Sequence, residues 1–130
     1  MSINFSKYLN FQKKNYPQVY ADVLNKYYDS GWVEYILPRL ESQCDSKRSY
    51  GTGLNSQKEV EKFWNNKLLR NNYINIIKLF NNYTYDEYQS IITDRGKYKI
   101  KQSVELFLPY AKDNDLEELN TFISNKYASM

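Results

Sequence analysis

The hydrophobic residues recur at helical spacing along most of the 130-residue chain. Over residues 60–80 and 97–111 they fall three or four positions apart, which is the period of one face of an α-helix. Similar periods predict helices over 5–11, 19–27, 85–92 and 116–127. The short apolar piece Trp32–Leu40 contains Pro38 and finds no partner strands, so we expect it to be helical or irregular. The pattern predicts an all-α fold, a single compact helical domain of about six or seven helices over residues 1–130.

Polar residues mark where these helices begin and end. Ser56 with Glu59, and Thr84 with Glu87, have the spacing of capping boxes. Pro17 suits the first turn of a helix, so we expect a second helix to begin there. Turns are expected at Asn65-Asn66 and at Asp94-Arg95-Gly96.

Residues 42–56 are the longest stretch without helical periodicity. They are rich in Ser and contain Gly51 and Gly53. The Gly-x-Gly that these two glycines form follows no strand and lacks the spacing of a phosphate-binding fingerprint. We therefore expect a flexible loop that serves as a lid, with Tyr50 as its anchor.

The residue types exclude several chemistries. The chain has no His and a single Cys, which excludes His-based triads, His metal ligands, an intramolecular disulfide and a Cys-rich zinc site. Cys44 lies between acidic neighbours, which disfavour a reactive thiolate. We expect no catalytic residue, no metal ion and no cofactor. An enzyme that uses Glu34 or Glu41 as acid or base is the third-ranked alternative.

Charge and hydropathy indicate which classes of partner the protein does not bind. The 18 Lys and Arg against 15 Asp and Glu give a net charge of +3, too little for a dedicated nucleic-acid binder. No apolar run is long enough to span a membrane, and no signal-peptide core follows Met1. We therefore expect a cytoplasmic protein that contacts neither nucleic acid nor membrane. The chain has 14 Tyr, which suit a core or an interaction surface.

Several fragments resemble one small bacterial family of unknown function, often labelled calpastatin-like. Gln12 and Tyr16 fit its first helix, and Tyr50-Gly51 fits a Tyr-Gly further on. Without a gap, Ser30, Trp32, Tyr35, Ile36, Pro38 and Leu40 fall on its Ser-His-Trp-x-Trp-x-Ile-Phe-Pro-Gln motif, and Lys99, Ser103, Leu106 and Phe107 match its last segment. The resemblance implies an all-helical fold and no established reaction.

This chain departs from that motif at polar positions. Gly31 stands where the family has His, Glu34 where it has its second Trp, and Arg39 where it has Gln. If the family uses that His and Gln for a ligand, the resemblance implies that this chain has lost or changed the use.

Three segments supply the candidate site. On one helical turn Trp32, Tyr35 and Arg39 share a side, where the rings would stack a planar group and Arg39 would pair with phosphate or carboxylate. Lys99 and Ser103 are four residues apart on one helix. The predicted ligand-binding residues are Trp32, Tyr35, Arg39, Tyr50, Lys99 and Ser103, lining a cleft for a small anionic, nucleotide-like ligand.

Two other interpretations stay open at this point. Trp32 and Tyr35 are also compatible with a core position, where the stem of Arg39 would cover them, and the lysines are compatible with a solvated face. The second functional hypothesis is a protein-interaction or inhibitory module whose exposed aromatic surface binds a protein partner or a second copy of the chain.

Overall fold

Seven α-helices account for most of residues 5–44 and 51–127, which are the residues that the computed structural model describes. Three short 3-10 turns join them, and within these ranges the one β-type pairing is an isolated bridge. The all-α prediction is confirmed. The helices are α1 (Ser6–Leu24), α2 (Val33–Ile36), α3 (Gln57–Asn65), α4 (Lys67–Asn81), α5 (Tyr85–Ile91), α6 (Asp94–Phe107) and α7 (Asp113–Lys126), and the 3-10 turns are Ser30–Trp32, Glu41–Gln43 and Leu108–Tyr110.

The first helix runs through Pro17 instead of ending before it. The expected boundary at Pro17 is therefore wrong, and residues 6–24 form one helix, α1. Tyr8, Gln12, Val19 and Val23 are buried and stay on one stripe across the proline. Their burial outweighs the lost backbone hydrogen bond, which is the local cost of proline inside a helix.

The other helix starts follow from local side-chain chemistry. Ser56 and Thr84 accept hydrogen bonds from the amides of Glu59 and Glu87, so both predicted caps are confirmed. Asn66 caps α4 directly after α3 ends, as the Asn-Asn pair suggested. The expected turn at residues 94–96 is wrong, because the Thr93 hydroxyl accepts from Gly96 N–H and starts α6 at Asp94.

The core lies around α4, which packs against α1, α3 and α7. Aromatic rings fill much of it, and Phe80 contacts the rings of Tyr88 and Phe122 at 5.5 and 6.1 Å between centroids. In the described part of the chain, no helix combines the length and the apolar character needed to cross a membrane.

Buried tyrosines explain part of the high tyrosine content. Their hydroxyls find partners inside the protein: Tyr8 donates to Thr52 O at 2.6 Å and Tyr83 donates to Val23 O at 2.6 Å. Each ring thus contributes apolar area to the core while its hydroxyl is satisfied.

The segment after residue 50 pairs with the end of the α2 region. Leu54 N–H donates to Arg39 O, and Glu41 N–H donates to Leu54 O, both at 2.8 Å. Gly53 lies so close to this strand-like stretch that a Cβ there would be 2.5 Å from the Glu41 backbone. Glycine is therefore required at this position by contact with backbone atoms, which cannot move as a side-chain tip does.

We predict that Gly53→Ala lowers the free energy of unfolding by about 1–3 kcal/mol, because the methyl group forces the two backbone segments apart. Gly31→Ala is the matched control, since its Cβ would meet only Asp29 Oδ1 at 3.4 Å, and it should stay within about 0.5 kcal/mol of the parent. Urea denaturation followed by circular dichroism measures both. Equal stabilities for the two variants would contradict the close approach.

We also predict unfolding at alkaline pH. Burial raises the pKa of Tyr16 and Tyr83 to about 12, and it raises the pKa of Tyr8 and Tyr73 further. Tyrosines in the unfolded chain ionise near pH 10, so their contribution to stability is full below pH 10 and is lost as the pH rises through the folded values. In a pH titration, the part of the tyrosinate absorbance that comes from these buried tyrosines should appear together with the loss of helix, above about pH 10. Ionisation of these tyrosines near pH 10 with the helices intact would refute this prediction.

Candidate functional site

An ion pair between α2 and α6 lies inside the protein. Glu34 Oε1 is 2.7 Å from Lys99 Nζ, and each of the two residues is only 4% exposed. Glu34 belongs to a one-turn helix whose neighbours Val33 and Ile36 are buried in the core. Because that turn is buried, the Glu34 carboxylate is buried as well. Lys99 lies on the buried face of α6 and contacts this carboxylate.

Arg39 is the third charged residue of this region. Its Nη1 donates to Gln102 Oε1 at 2.7 Å and to Gln43 O at 3.1 Å. Its Nη2 lies 4.0 Å from Glu34 Oε1 and has no hydrogen-bond partner among the described residues. Arg39 is 3% exposed, so one edge of its guanidinium group is buried and lacks an acceptor.

We call Glu34, Arg39, Lys99 and Gln102 the Arg39 cluster. It holds two cations and one carboxylate, a formal charge of +1. Burying charges costs several kcal/mol each unless they are paired and hydrogen-bonded. The Glu34 carboxylate compensates one cation, and the other is held by the neutral oxygens of Gln43 and Gln102.

The two predicted aromatic residues pack against other rings. Trp32 is 4% exposed and stacks on Phe80 at 6.4 Å between centroids. Tyr35 is half-buried and stacks on Phe11 at 4.4 Å. One face of each ring is thus covered from within the protein. The indole Nε1 of Trp32 is buried and has no hydrogen-bond partner in the described part of the chain.

The remaining predicted residues differ in their surroundings. Ser103 is fully buried, and its hydroxyl lies 2.9 Å from that of Tyr73 in α4. Tyr50 lies outside the described residues. Lys99 and Arg39 both reach Glu34, so the structure brings them together, and Trp32 is two positions from that glutamate.

Glu34 itself is absent from the predicted ligand-binding set, although it joins two members of that set. The available signal is a single charged residue inside the apolar run Trp32–Leu37. Such a position is buried when the run is buried, and a buried carboxylate requires a cation. Burial and then the nearby Glu34 charge also raise the pKa of Tyr28.

The Gly-x-Gly segment binds an acidic side chain of the protein. Gly51 N–H donates to both oxygens of the Glu41 carboxylate, at 3.1 and 2.9 Å, and Gly53 N–H donates to Oε1 at 2.9 Å. From the other side, Lys7 Nζ donates to the carbonyls of Gly51 and Gly53. The segment is therefore tied down by α1 and by Glu41, and through Leu54 it holds the backbone of Arg39.

Comparisons with known proteins agree with this fold. The sequence profile of a family described as a protein of unknown function (DUF1810) matches residues 2–129. The chain belongs to the DUF1810 family. The expected membership of a small family of unknown function is thereby confirmed, while the calpastatin-like label and the alignment to the Ser-His-Trp motif stay predictions.

A solved structure has the same fold as this DUF1810 chain. It is the crystal structure at 1.38 Å of the conserved hypothetical protein Rv1873 from Mycobacterium tuberculosis. The match has a TM-score of 0.82 and 16% sequence identity, and it covers 97% of this chain and 89% of that one. At this identity the likeness shows the fold alone. No curated protein matches the sequence.

We predict that Glu34→Gln destabilises the protein by about 3–5 kcal/mol, because it leaves Lys99 and Arg39 buried together without a carboxylate. Adding Lys99→Met should recover much of this loss, since the second change removes the unpaired ammonium group. A double-mutant cycle by urea denaturation measures the coupling.

The control for this cycle is the partly exposed pair of Arg70 and Asp115, whose Nε and Oδ2 lie 3.6 Å apart. Asp115→Asn should cost about 1 kcal/mol or less. A Glu34→Gln variant no less stable than Asp115→Asn would show that the buried carboxylate does not compensate the cations.

Proposed function

We propose that this protein binds a small anionic ligand at the Arg39 cluster. The observation that carries the proposal is the Nη2 group of Arg39, which is buried and finds no hydrogen-bond acceptor among residues 5–44 and 51–127, in a cluster of formal charge +1. An anion placed against this group would supply both the missing acceptor and the missing negative charge.

The geometry of Arg39 favours an oxyanion. A guanidinium group presents donors in a rigid planar fork that matches phosphate and carboxylate. Gln43 and Gln102 hold Nη1, which fixes the plane of the fork and leaves the Nη2 edge for a ligand. Since the cluster has one positive charge in excess, we expect the bound group to carry one or two negative charges.

The nucleotide-like part of the proposal rests on Trp32 and Tyr35. Trp32 is two positions from Glu34, and its buried Nε1 donor, which has no acceptor in the part of the chain that the structure describes, would suit a polar atom of a ring system. Tyr35 is half-buried, and Phe11 covers one face of its ring. We therefore propose that the ligand carries a phosphate group and, among such ligands, that it is a nucleotide derivative.

We further propose binding without turnover. The Glu34 carboxylate is the acidic group of the cluster, and its Oε1 is already engaged by Lys99 Nζ at 2.7 Å. The sequence contains no His that could serve as a general base. Sequestration of the ligand is the mode that these residues support.

We predict that a thermal-shift screen of the pure protein against inorganic phosphate, nucleoside monophosphates, cyclic nucleotides and ADP-ribose gives at least one stabilising ligand. At one hundred times its Kd, a ligand that binds only the folded state adds about 2.7 kcal/mol. For a domain of this size that corresponds to roughly 10 °C in Tm.

Arg39→Gln should abolish this shift while the protein stays folded by circular dichroism. Lys101→Gln is the control, since Lys101 is an exposed lysine of the same helix as Lys99. A shift with phosphate as large as with any nucleotide would narrow the ligand to the phosphate group. No shift with any of these anions, or a shift that persists in Arg39→Gln, would overturn the proposal.

A further inference from the structure

The groove between α1 and α4 is a second candidate surface. It differs from the buried, charged Arg39 cluster because exposed apolar side chains border it. Its main part has a volume of about 380 Å³ and continues past Tyr16 and Pro17 into a depression of about 470 Å³. We call this surface the α1–α4 groove. Its lining includes Lys13, Pro17 and Tyr20 of α1, Leu68 of α4, and the buried pair Gln12 and Asn72.

Large apolar side chains on this surface are left in contact with solvent. Leu68 at the start of α4 is 54% exposed, and Tyr20 on α1 is 37% exposed. Tyr20 and Leu24 directly follow the buried residues Val19 and Val23 in the sequence, yet Leu24, one turn beyond Tyr20, is 56% exposed. Large apolar side chains that stay exposed beside a groove are typical of a surface that binds another protein.

The charge on the groove has one sign. Among the described residues that line it, Lys13 is the charged one and none is acidic. Lys13 is exposed and has no ion-pair partner among the described residues. Lys14 and Lys67, next to Lys13 and Leu68 in the chain, are exposed as well. The groove therefore complements a segment that carries apolar and acidic side chains.

Pro17 adds a polar feature to the wall. It has no amide hydrogen, so the Lys13 carbonyl four residues earlier lacks its usual helical donor. At the floor, Asn72 Nδ2 donates to Gln12 Oε1 at 2.7 Å. The apolar side chains supply the area for binding, while the carbonyl and the ammonium group of Lys13 would set the position and direction of a bound segment.

We propose that the α1–α4 groove binds an acidic amphipathic helix of a partner protein. Apolar residues of that helix, spaced by three or four positions, would lie over Leu68 and Tyr20, and its carboxylates would pair with Lys13. A second copy of this chain fits less well, because a symmetric pairing of the groove with itself brings two basic surfaces together, and the described lining residues offer Lys13 no carboxylate.

The test is a selection of random 16-residue peptides displayed on phage against the immobilised protein, followed by fluorescence anisotropy with the enriched peptides. We expect the enriched peptides to be acidic and to carry apolar residues at helical spacing. Leu68→Ser should weaken their binding about tenfold, and Lys13→Glu should do the same and shift the preference towards basic peptides.

Tyr98→Ser is the matched control, since Tyr98 is 57% exposed on α6 and lines neither part of the groove. It should leave peptide affinity unchanged. Enrichment of no peptide, of peptides without acidic residues, or of peptides that bind Leu68→Ser as tightly as the parent overturns the proposal. A concentration-dependent dimer in sedimentation that Leu68→Ser abolishes overturns it too, because the occupant is then a second copy.

Discussion

The ion pair between Glu34 and Lys99 constrains how the parts of this fold fit together. An α-helix of one turn has no stability of its own, because the first turn fixes several dihedral angles for a single hydrogen bond. α2 therefore depends on its tertiary contacts, and Glu34 supplies one that is both short and buried, 2.7 Å from Lys99. Once α2 is fixed against α6, Arg39 three residues after its end falls beside the same carboxylate.

The polar contacts around α2 select one arrangement of an otherwise apolar core. Aromatic and aliphatic residues pack acceptably in many ways, whereas a buried donor or acceptor tolerates few. Gln12 Nε2 donates to Tyr35 O at 2.9 Å, and Arg39 O accepts from Leu54 N–H at 2.8 Å. α1, α2 and the segment after Gly53 are thus tied by groups that would be unsatisfied in any other register.

The sequence predicts the local features of this fold and misses those that depend on distant partners. The caps at Ser56 and Thr84 depend on residues three positions away and were visible. Whether the helix continues through Pro17 depends on whether the stripe through Val19 stays buried, and that is decided by the distant helices α2 and α4 that pack against α1. Glu34 and Lys99 are 65 positions apart in the sequence, so periodicity could place each on a face but could not pair them. The sequence also predicts a flexible segment at Gly51–Gly53, whereas the amides of both glycines donate to the Glu41 carboxylate. Nothing in the neighbouring sequence indicates this contact.

The α1–α4 groove and the Arg39 cluster share one structural element. This element is Gln12. Its Oε1 accepts a hydrogen bond from Asn72 on the groove floor, and its Nε2 donates to the α2 backbone. The floor is therefore committed to the fold, because a change in Gln12 or Asn72 would also release the helix that carries Glu34. Leu68 and Lys13 on the walls are exposed and do not hold the fold together in this way. Specificity for a partner would accordingly reside in the walls, where residues vary without cost to the buried ion pair.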